Sequence, residues 1–424
     1  MLPAKKTSTS PVRLSTLISS VAFAVVVGSL LTVAVSVTQW PISSDFTKFY
    51  ASAQLLAHGQ DMYASIPLDA YGPLPPDFTP TQQELHGNLN PPQVTLLLLP
   101  FAALTIDAAL QVWAIMSLGL GLLSCMLLWY AVNPPPYRLA SLFWLCCAFF
   151  LYIPTLAALW LGQLTFLTFL LLVLAWQAVR DGHEITAGIL IGLALSIKLF
   201  IGLVIIYFLI RRRWPIVVWA GLVFGATTLI GVLAVGWQSY VRFEAVLGSV
   251  TWYGAGMNAS YASVSSRLFG GSNTQPLLDL PVLGRWVTNA ASVASLAVLL
   301  VLAWPRTNMR QNQVDALGLG MAFCFSLLIS PLGWGYYFPI LLVAVYPSWR
   351  QNMYDSKAAR WLIVVAVVLS AVPALGIKPT ELQGWGVLLS STYFFALLAC
   401  ACGLAVAYNS CRQRADGLDA RCLS

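Results

Sequence analysis

Long apolar runs separated by short polar stretches fill most of this 424-residue chain. As a helix, a run of about 20 apolar residues crosses roughly 30 Å of hydrocarbon, and such runs recur from near the first residue to near the last. The pattern predicts an all-α polytopic membrane protein with about 12 transmembrane helices and both termini in the cytoplasm. The predicted spans lie at 14–38, 107–131, 138–155, 163–179, 185–197, 199–210, 214–236, 286–304, 314–330, 336–348, 361–377 and 386–408. Several are short for a full crossing, which requires that neighbouring helices thin the bilayer or bury their ends.

The polar stretches divide the chain in two. Residues 1–236 form one transmembrane module that includes a long external loop at 39–106, and residues 237–424 comprise an external loop at 237–285 followed by a second module. Neither loop has the length and apolar content of an independent core. Within the first loop, Phe46, Phe49, Tyr50, Ala53, Leu56 and Ala57 recur at helical spacing and Gly59 is suited to end the helix. Such an amphipathic helix lies in the membrane interface and carries Asp45 at its start.

Two threadings differ at Asn90 to Leu104. If that run spans, Lys198 is stranded in the middle of one helix from Ile185 to Ile210; if it lies in the interface, Ile185 to Ile210 is a tight hairpin with Lys198 at its outer tip. A Lys at the bilayer centre is costly without a partner, and the hairpin also puts more of the 22 Lys and Arg residues inside. The hairpin is therefore the preferred threading.

Composition agrees, with 59% hydrophobic and 9% charged residues. The formal charge of +7 does not signal nucleic acid, because the basic residues sit mostly at helix ends, where they set topology. Lys5, Lys6 and Arg13 before the first run suggest a secretory leader, but the run is too long for one and reads as an uncleaved anchor. Six of the eight cysteines lie in apolar helices and none in an external loop, so no structural disulfide is expected. His58, His86 and His183 are far apart and no Cys or His cluster has metal-ligand spacing, so no metal or other cofactor is implied.

Several segments together carry a resemblance: D-F-T-K-F-Y-A-S-A-Q-L-L from Asp45, N-P-P-Q-V-T-L-L-L-L-P from Asn90, G-Q-L-T-F-L from Gly162, A-G-I-L-I-G-L-A-L-S-I-K ending at Lys198, and S-P-L-G-W-G-Y-Y from Ser330. In this order they resemble glycosyltransferase family 87, the polyprenyl-phosphate-mannose-dependent mannosyltransferases of the C superfamily of membrane glycosyltransferases. The resemblance implies a GT-C fold in a bacterial plasma membrane, with the site on the non-cytoplasmic face. It also implies a polyprenyl-phosphate sugar donor reached from the membrane lipids and a lipid-linked or periplasmic glycan acceptor.

Asp45 matches the family's catalytic carboxylate and would take the acceptor's proton; read structurally, it is a helix cap. Lys198 is the candidate for the donor phosphate, or a snorkelling Lys at an interface. Arg267, in N-A-S-Y-A-S-V-S-S-R from Asn258, resembles a second phosphate ligand, with Asn258 and Ser260 as substrate-binding residues beside it. Gln163 could bond sugar hydroxyls or pack its helix, and Trp334 could stack on a sugar or anchor at the interface. Where family members have a His after this Trp, the chain has Gly335, Tyr336 and Tyr337; a Tyr hydroxyl donates a hydrogen bond but brings no cation at neutral pH. No D-x-D stands in an external segment, so a metal-independent transfer is expected, and with one base and no evident second carboxylate a single displacement with inversion is expected. The competing classes are a secondary transporter or flippase of an envelope precursor and a non-catalytic assembly subunit.

Overall fold

The computed structural model describes residues 45–64, 87–133, 139–271, 276–305, 311–351, 356–372 and 386–422, together with residues 21, 25–29 and 31–32. Most of the predicted first span and residues 65–86 and 373–385, expected in external loops, lie outside the described residues. What is described is helical, and the one β-bridge, Asn258 to Trp334, lies outside any strand.

The helices in chain order are α1 (Asp45–Ala57), α2 (Pro92–Leu98), α3 (Ile106–Val132), α4 (Leu139–Phe150), α5 (Ile153–Trp160), α6 (Thr165–Arg180), α7 (Glu184–Ile197), α8 (Gly202–Ile210), α9 (Trp214–Val235), α10 (Trp237–Gly248), α11 (Tyr261–Phe269), α12 (Pro281–Ala303), α13 (Gln311–Ile329), α14 (Leu342–Arg350), α15 (Lys357–Ser370), α16 (Gly386–Leu389) and α17 (Thr392–Cys422). Among the described residues, four are long and apolar enough to cross a membrane: Ile106–Val132, Trp214–Val235, Pro281–Ala303 and Thr392–Arg414. Ile115, Leu233 and Val301 stand exposed on them, as lipid-facing side chains do.

The predicted span at 138–155 is broken, with α4 and α5 meeting at 63°. The run stops at Tyr152, extended at ψ 122° as the N-cap of α5, and Pro154 sits in the first turn of that helix, where its missing N–H is harmless but could not have been supplied to a continuous helix. The predicted span at 336–348 likewise begins as a 3-10 turn, Gly335–Leu341, containing Pro339, and becomes helical only in α14.

At Ile185 to Ile210 the chain reverses at Lys198. Gly188 of α7 lies against the backbone of Ile216 and Gly192 against that of Ala220, and Ser196 Oγ meets Thr227 Oγ1 at 2.6 Å. The matched positions advance together along α7 and α9, so these two helices run parallel and α8 must carry the chain back between them. A Cβ at Gly188 or Gly192 would come within 2.7 Å of a carbonyl oxygen of α9, which is why glycine stands at both. The Asn90 to Leu104 run is a short helix and a 3-10 turn, with Pro92, Val94, Thr95 and Leu98 buried.

The expected one-sided helix α1 is buried on more than one side. Thr47, Ala51 and Ser52 are enclosed together with Phe46, Phe49 and Ala53, whereas Ala57 is exposed. Small and hydroxylated residues let other segments close over the face read as polar, and Ser52 Oγ donates to the Met62 carbonyl at 2.8 Å. The helix ends at Gly59, whose φ of 70° is the left-handed conformation suited to a C-terminal cap.

Candidate active site

The start of α1 is fixed by aromatic packing and by one turn. Phe46 stacks on Trp113 of α3 at 5.0 Å and meets the edge of Phe101 at 5.6 Å, while its N–H donates to the Leu161 carbonyl at 3.1 Å. Trp113 Nε1 donates to the next carbonyl, Gly162, at 2.8 Å. Gly162 has a φ of 63°, the conformation that turns the chain between α5 and α6 and delivers Gln163 to Asp45. Gln163 is 3% exposed, and its Nε2 donates to Asp45 Oδ2 at 2.5 Å.

The other carboxylate oxygen is met by an ammonium group. Lys48, one turn along α1, reaches Asp45 Oδ1 at 3.1 Å, and the two side chains are 22% and 24% exposed. One oxygen of Asp45 is thus pinned by a buried amide and the other covered by a partly solvated ammonium. As the first residue of α1, Asp45 also gains from the helix dipole.

Lys198 interrupts the helical run between α7 and α8, with extended backbone at φ −136° and ψ 105°. Its Nζ donates to Asn90 Oδ1 at 2.8 Å and stands 5.2 Å from the centre of the Tyr337 ring. Apolar walls lower its pKa from 10.5 to about 8, against the opposing attraction of the Asp45 charge. Asn90 is held in turn: its N–H and Nδ2 donate to Asn88 Oδ1 at 2.9 and 2.8 Å, and its carbonyl accepts from the Tyr63 hydroxyl at 2.6 Å. Asn88 Nδ2 reaches Thr95 Oγ1 at 3.1 Å, which ties the assembly to α2.

Asp45, Lys48, Asn90, Gln163, Lys198, Trp334, Tyr336 and Tyr337 line one cavity of about 280 Å³, completed by apolar residues that include Phe49, Phe200, Phe243 and Trp252. Trp334 and Tyr336 stack at 5.8 Å, Tyr336 and Tyr337 meet edge to face at 4.7 Å, and Phe200 lies 4.8 Å from Tyr337. Thr165 Oγ1 holds this aromatic turn through the Tyr336 carbonyl at 3.1 Å.

Three expected substrate contacts lie elsewhere. Arg267, 1% exposed, is absent from the cavity lining; its guanidinium donates to the carbonyls of Ala255 at 3.0 Å and Asn258 at 3.3 Å. Burial lowers its pKa to about 10. Asn258 Nδ2 and Ser260 Oγ both donate to the Pro331 carbonyl, at 2.8 and 3.2 Å, and Ser260 caps α11 by accepting from the Ser263 N–H. Backbone bonds from Ala259 to Gly333 at 2.8 Å and from Gly335 to Met257 at 2.7 Å complete the seam. These residues brace two loops, and Trp334 and Tyr336 line the cavity beside them. Arg267, Asn258 and Ser260 are not among the residues lining the cavity.

Sequence reasoning missed Lys48 and Asn90. Lys48 sits three residues from Asp45, a spacing that puts both on one helix face. Asn90 opens the N-P-P motif and carried no chemistry of its own until Lys198 was seen beside it. Among the described residues, no group of His, Cys, Asp and Glu is placed to hold a metal ion. The cavity offers an oriented carboxylate that can take a proton, ammonium groups that can hold an anion, and aromatic rings that can face a sugar.

Residues 88–331 match glycosyltransferase family 87. The chain is 28% identical over 203 residues to a polyprenol-phosphate-mannose-dependent alpha-(1-2)-phosphatidylinositol pentamannoside mannosyltransferase of Mycolicibacterium smegmatis, covering 47% of this chain and 42% of that protein. To the protein of the same name from Mycobacterium tuberculosis it is 27% identical over 243 residues, 55% of this chain and 48% of the relative. A polyprenol-phosphate-mannose-dependent alpha-(1-2)-phosphatidylinositol mannoside mannosyltransferase of Mycobacterium tuberculosis is 24% identical over 354 residues, 76% of this chain and 78% of the relative. The chain thus spans a little under half the length of the first two relatives. No solved structure gives a significant match. Asp45 precedes the residues matched to the family, so its place in the site rests on geometry.

Proposed function

Because the chain belongs to glycosyltransferase family 87, we propose that it transfers a hexose, mannose by the names of its relatives, from a polyprenyl phosphate to a lipid-linked or periplasmic glycan acceptor. The cavity then opens to the non-cytoplasmic side of the membrane. The observation that carries the reading is the Asp45 carboxylate fixed by Gln163 in the same cavity as Lys198.

The donor already has a phosphate leaving group, so the protein's tasks are to take the acceptor's proton and to stabilise the departing anion. Gln163 holds Oδ2, which leaves Oδ1 to face the acceptor hydroxyl. Lys198 donates to the donor phosphate; its hydrogen-bond partner Asn90 is neutral, and the Asp45 charge acts on it only through space. Trp334 and Tyr336 form the wall against which the sugar lies. With one carboxylate and the leaving group on the other side of the anomeric carbon, the reaction is a single displacement with inversion.

The test is to incubate the purified protein, reconstituted in vesicles, with radiolabelled polyprenyl-phosphate mannose and an extract of envelope lipids. Glycosyl transfer moves the label into a new lipid. Label that crosses the vesicle membrane still attached to polyprenyl phosphate would replace this reading with transport.

A further inference from the structure

Lys48 covers the oxygen of Asp45 that the proposed reaction needs. The other oxygen is held by a Gln163 side chain that is 3% exposed, whereas the Lys48 and Asp45 side chains are 22% and 24% exposed at the cavity surface. Among the described residues lining the cavity, Asp45, Lys48 and Lys198 carry the formal charges. Below the pKa of Lys198 these side chains therefore sum to one net positive charge, which matches a phosphodiester monoanion.

That balance changes during the reaction, on the reading that the cavity performs glycosyl transfer. The acceptor oxygen forms its bond to the anomeric carbon. The bond from that carbon to the phosphate oxygen breaks, with its electron pair going to the phosphate, and the hydroxyl proton passes to Asp45 Oδ1. The phosphate goes from a diester monoanion to a monoester dianion while Asp45 becomes neutral. Lys48 loses its ionic partner at the moment a second anionic charge develops within the cavity, and the flexible Lys side chain can redirect its ammonium without moving α1.

We infer that Lys48 is a catalytic cation that shifts from Asp45 Oδ1 to the leaving phosphate, uncovering the base for the acceptor and neutralising the second charge of the product. Lys198 meets the first charge and Lys48 the second. Lys48 thus contributes more to holding the product and the transition state than to holding the donor.

The experiment measures binding of a short-chain prenyl phosphate and of its methyl diester to the full-length protein in detergent at about pH 7, where the monoester is mostly a dianion, the diester a monoanion and Lys198 still a cation. Wild-type protein binds the monoester more tightly. Lys48→Gln, which keeps most of the length and a donor but removes the charge, weakens monoester binding by about ten- to a hundredfold, the size of a charged hydrogen bond, and leaves diester binding nearly unchanged. Lys48→Arg restores the preference. In turnover, Lys48→Gln lowers kcat with little change in the donor KM. Equal weakening of both compounds in Lys48→Gln, or no weakening of either, overturns the inference while leaving the transfer reading in place. Wild-type protein that binds neither compound overturns both.

Discussion

The two ends of α7 hold their cations in opposite ways. At its start, Arg213 donates through Nε to Glu184 and through Nη1 to Asp315 Oδ2 at 3.2 Å, and the Tyr207 hydroxyl reaches Asp315 Oδ1 at 3.1 Å. At its end, about 20 Å away by helix rise, Lys198 rests on the neutral amide of Asn90, and Lys48 shares the one carboxylate of the cavity. Arg213 is 8% exposed and fully matched by carboxylates, which locks the ends of α7, α9 and α13 together. Lys198 is matched by geometry but not by charge. A cation paired with carboxylates has its charge cancelled and builds structure; a cation seated on an amide keeps its charge available for an incoming anion.

Removing the charge chemistry at the cavity end has the largest expected effect. Asp45→Asn keeps the size and the helix-capping ability but cannot take a proton, so transfer slows by roughly 10² to 10⁴ with the melting temperature unchanged. A single-turnover assay with saturating donor checks this, and a normal rate removes Asp45 as the base. At the other end the same kind of change acts on stability. Arg213→Met leaves Asp315 buried without its cation and costs about 3–5 kcal/mol in unfolding measured in detergent. Intact stability with lost donor binding would erase the contrast between the two ends.

Arg267 sharpens the comparison from a third place. Its guanidinium serves loop carbonyls, so Arg267→Ala should lower stability by about 1–3 kcal/mol through the carbonyls left buried. Donor and acceptor KM should rise together, because the loop that presents Trp334 loosens as a whole. A selective rise in donor KM alone would return Arg267 to the role of phosphate ligand.

Much of the cavity was legible in the sequence because polar groups interrupting apolar runs need a reason. Lys198 between two apolar helices and Gln163 after a glycine both stood out for this, and both line the cavity with Asp45, Trp334, Tyr336 and Tyr337. The hairpin followed from the cost of a Lys in hydrocarbon, and the parallel packing of α7 and α9 shows the reversal. Arg267, Asn258 and Ser260 turn back onto loop carbonyls, an orientation that a loop sequence does not reveal. Lys48 was hidden by a helix pattern that counts apolar faces and passes over a cation one turn from a carboxylate. The break between α4 and α5 was signalled by Pro154, which a smooth reading of apolar length ignores.

Lys198, seated on a neutral amide, is the cation on which donor binding turns, and its titration tests this most directly. Lys198 is cationic below its pKa of about 8 and neutral above it. Phosphate binding favours the cation, so it is strongest below that pH and lost as pH rises through it. Donor affinity measured from about pH 6 to about pH 10 should fall in the wild type as pH passes about 8, well below the range of an ordinary Lys. In Lys198→Ala the affinity should be lower by about 1.5–3 kcal/mol and should lack that fall. Wild-type affinity that stays constant to pH 10, or a Lys198→Ala protein that follows the wild-type curve, would contradict the assignment of Lys198 as the phosphate-binding cation.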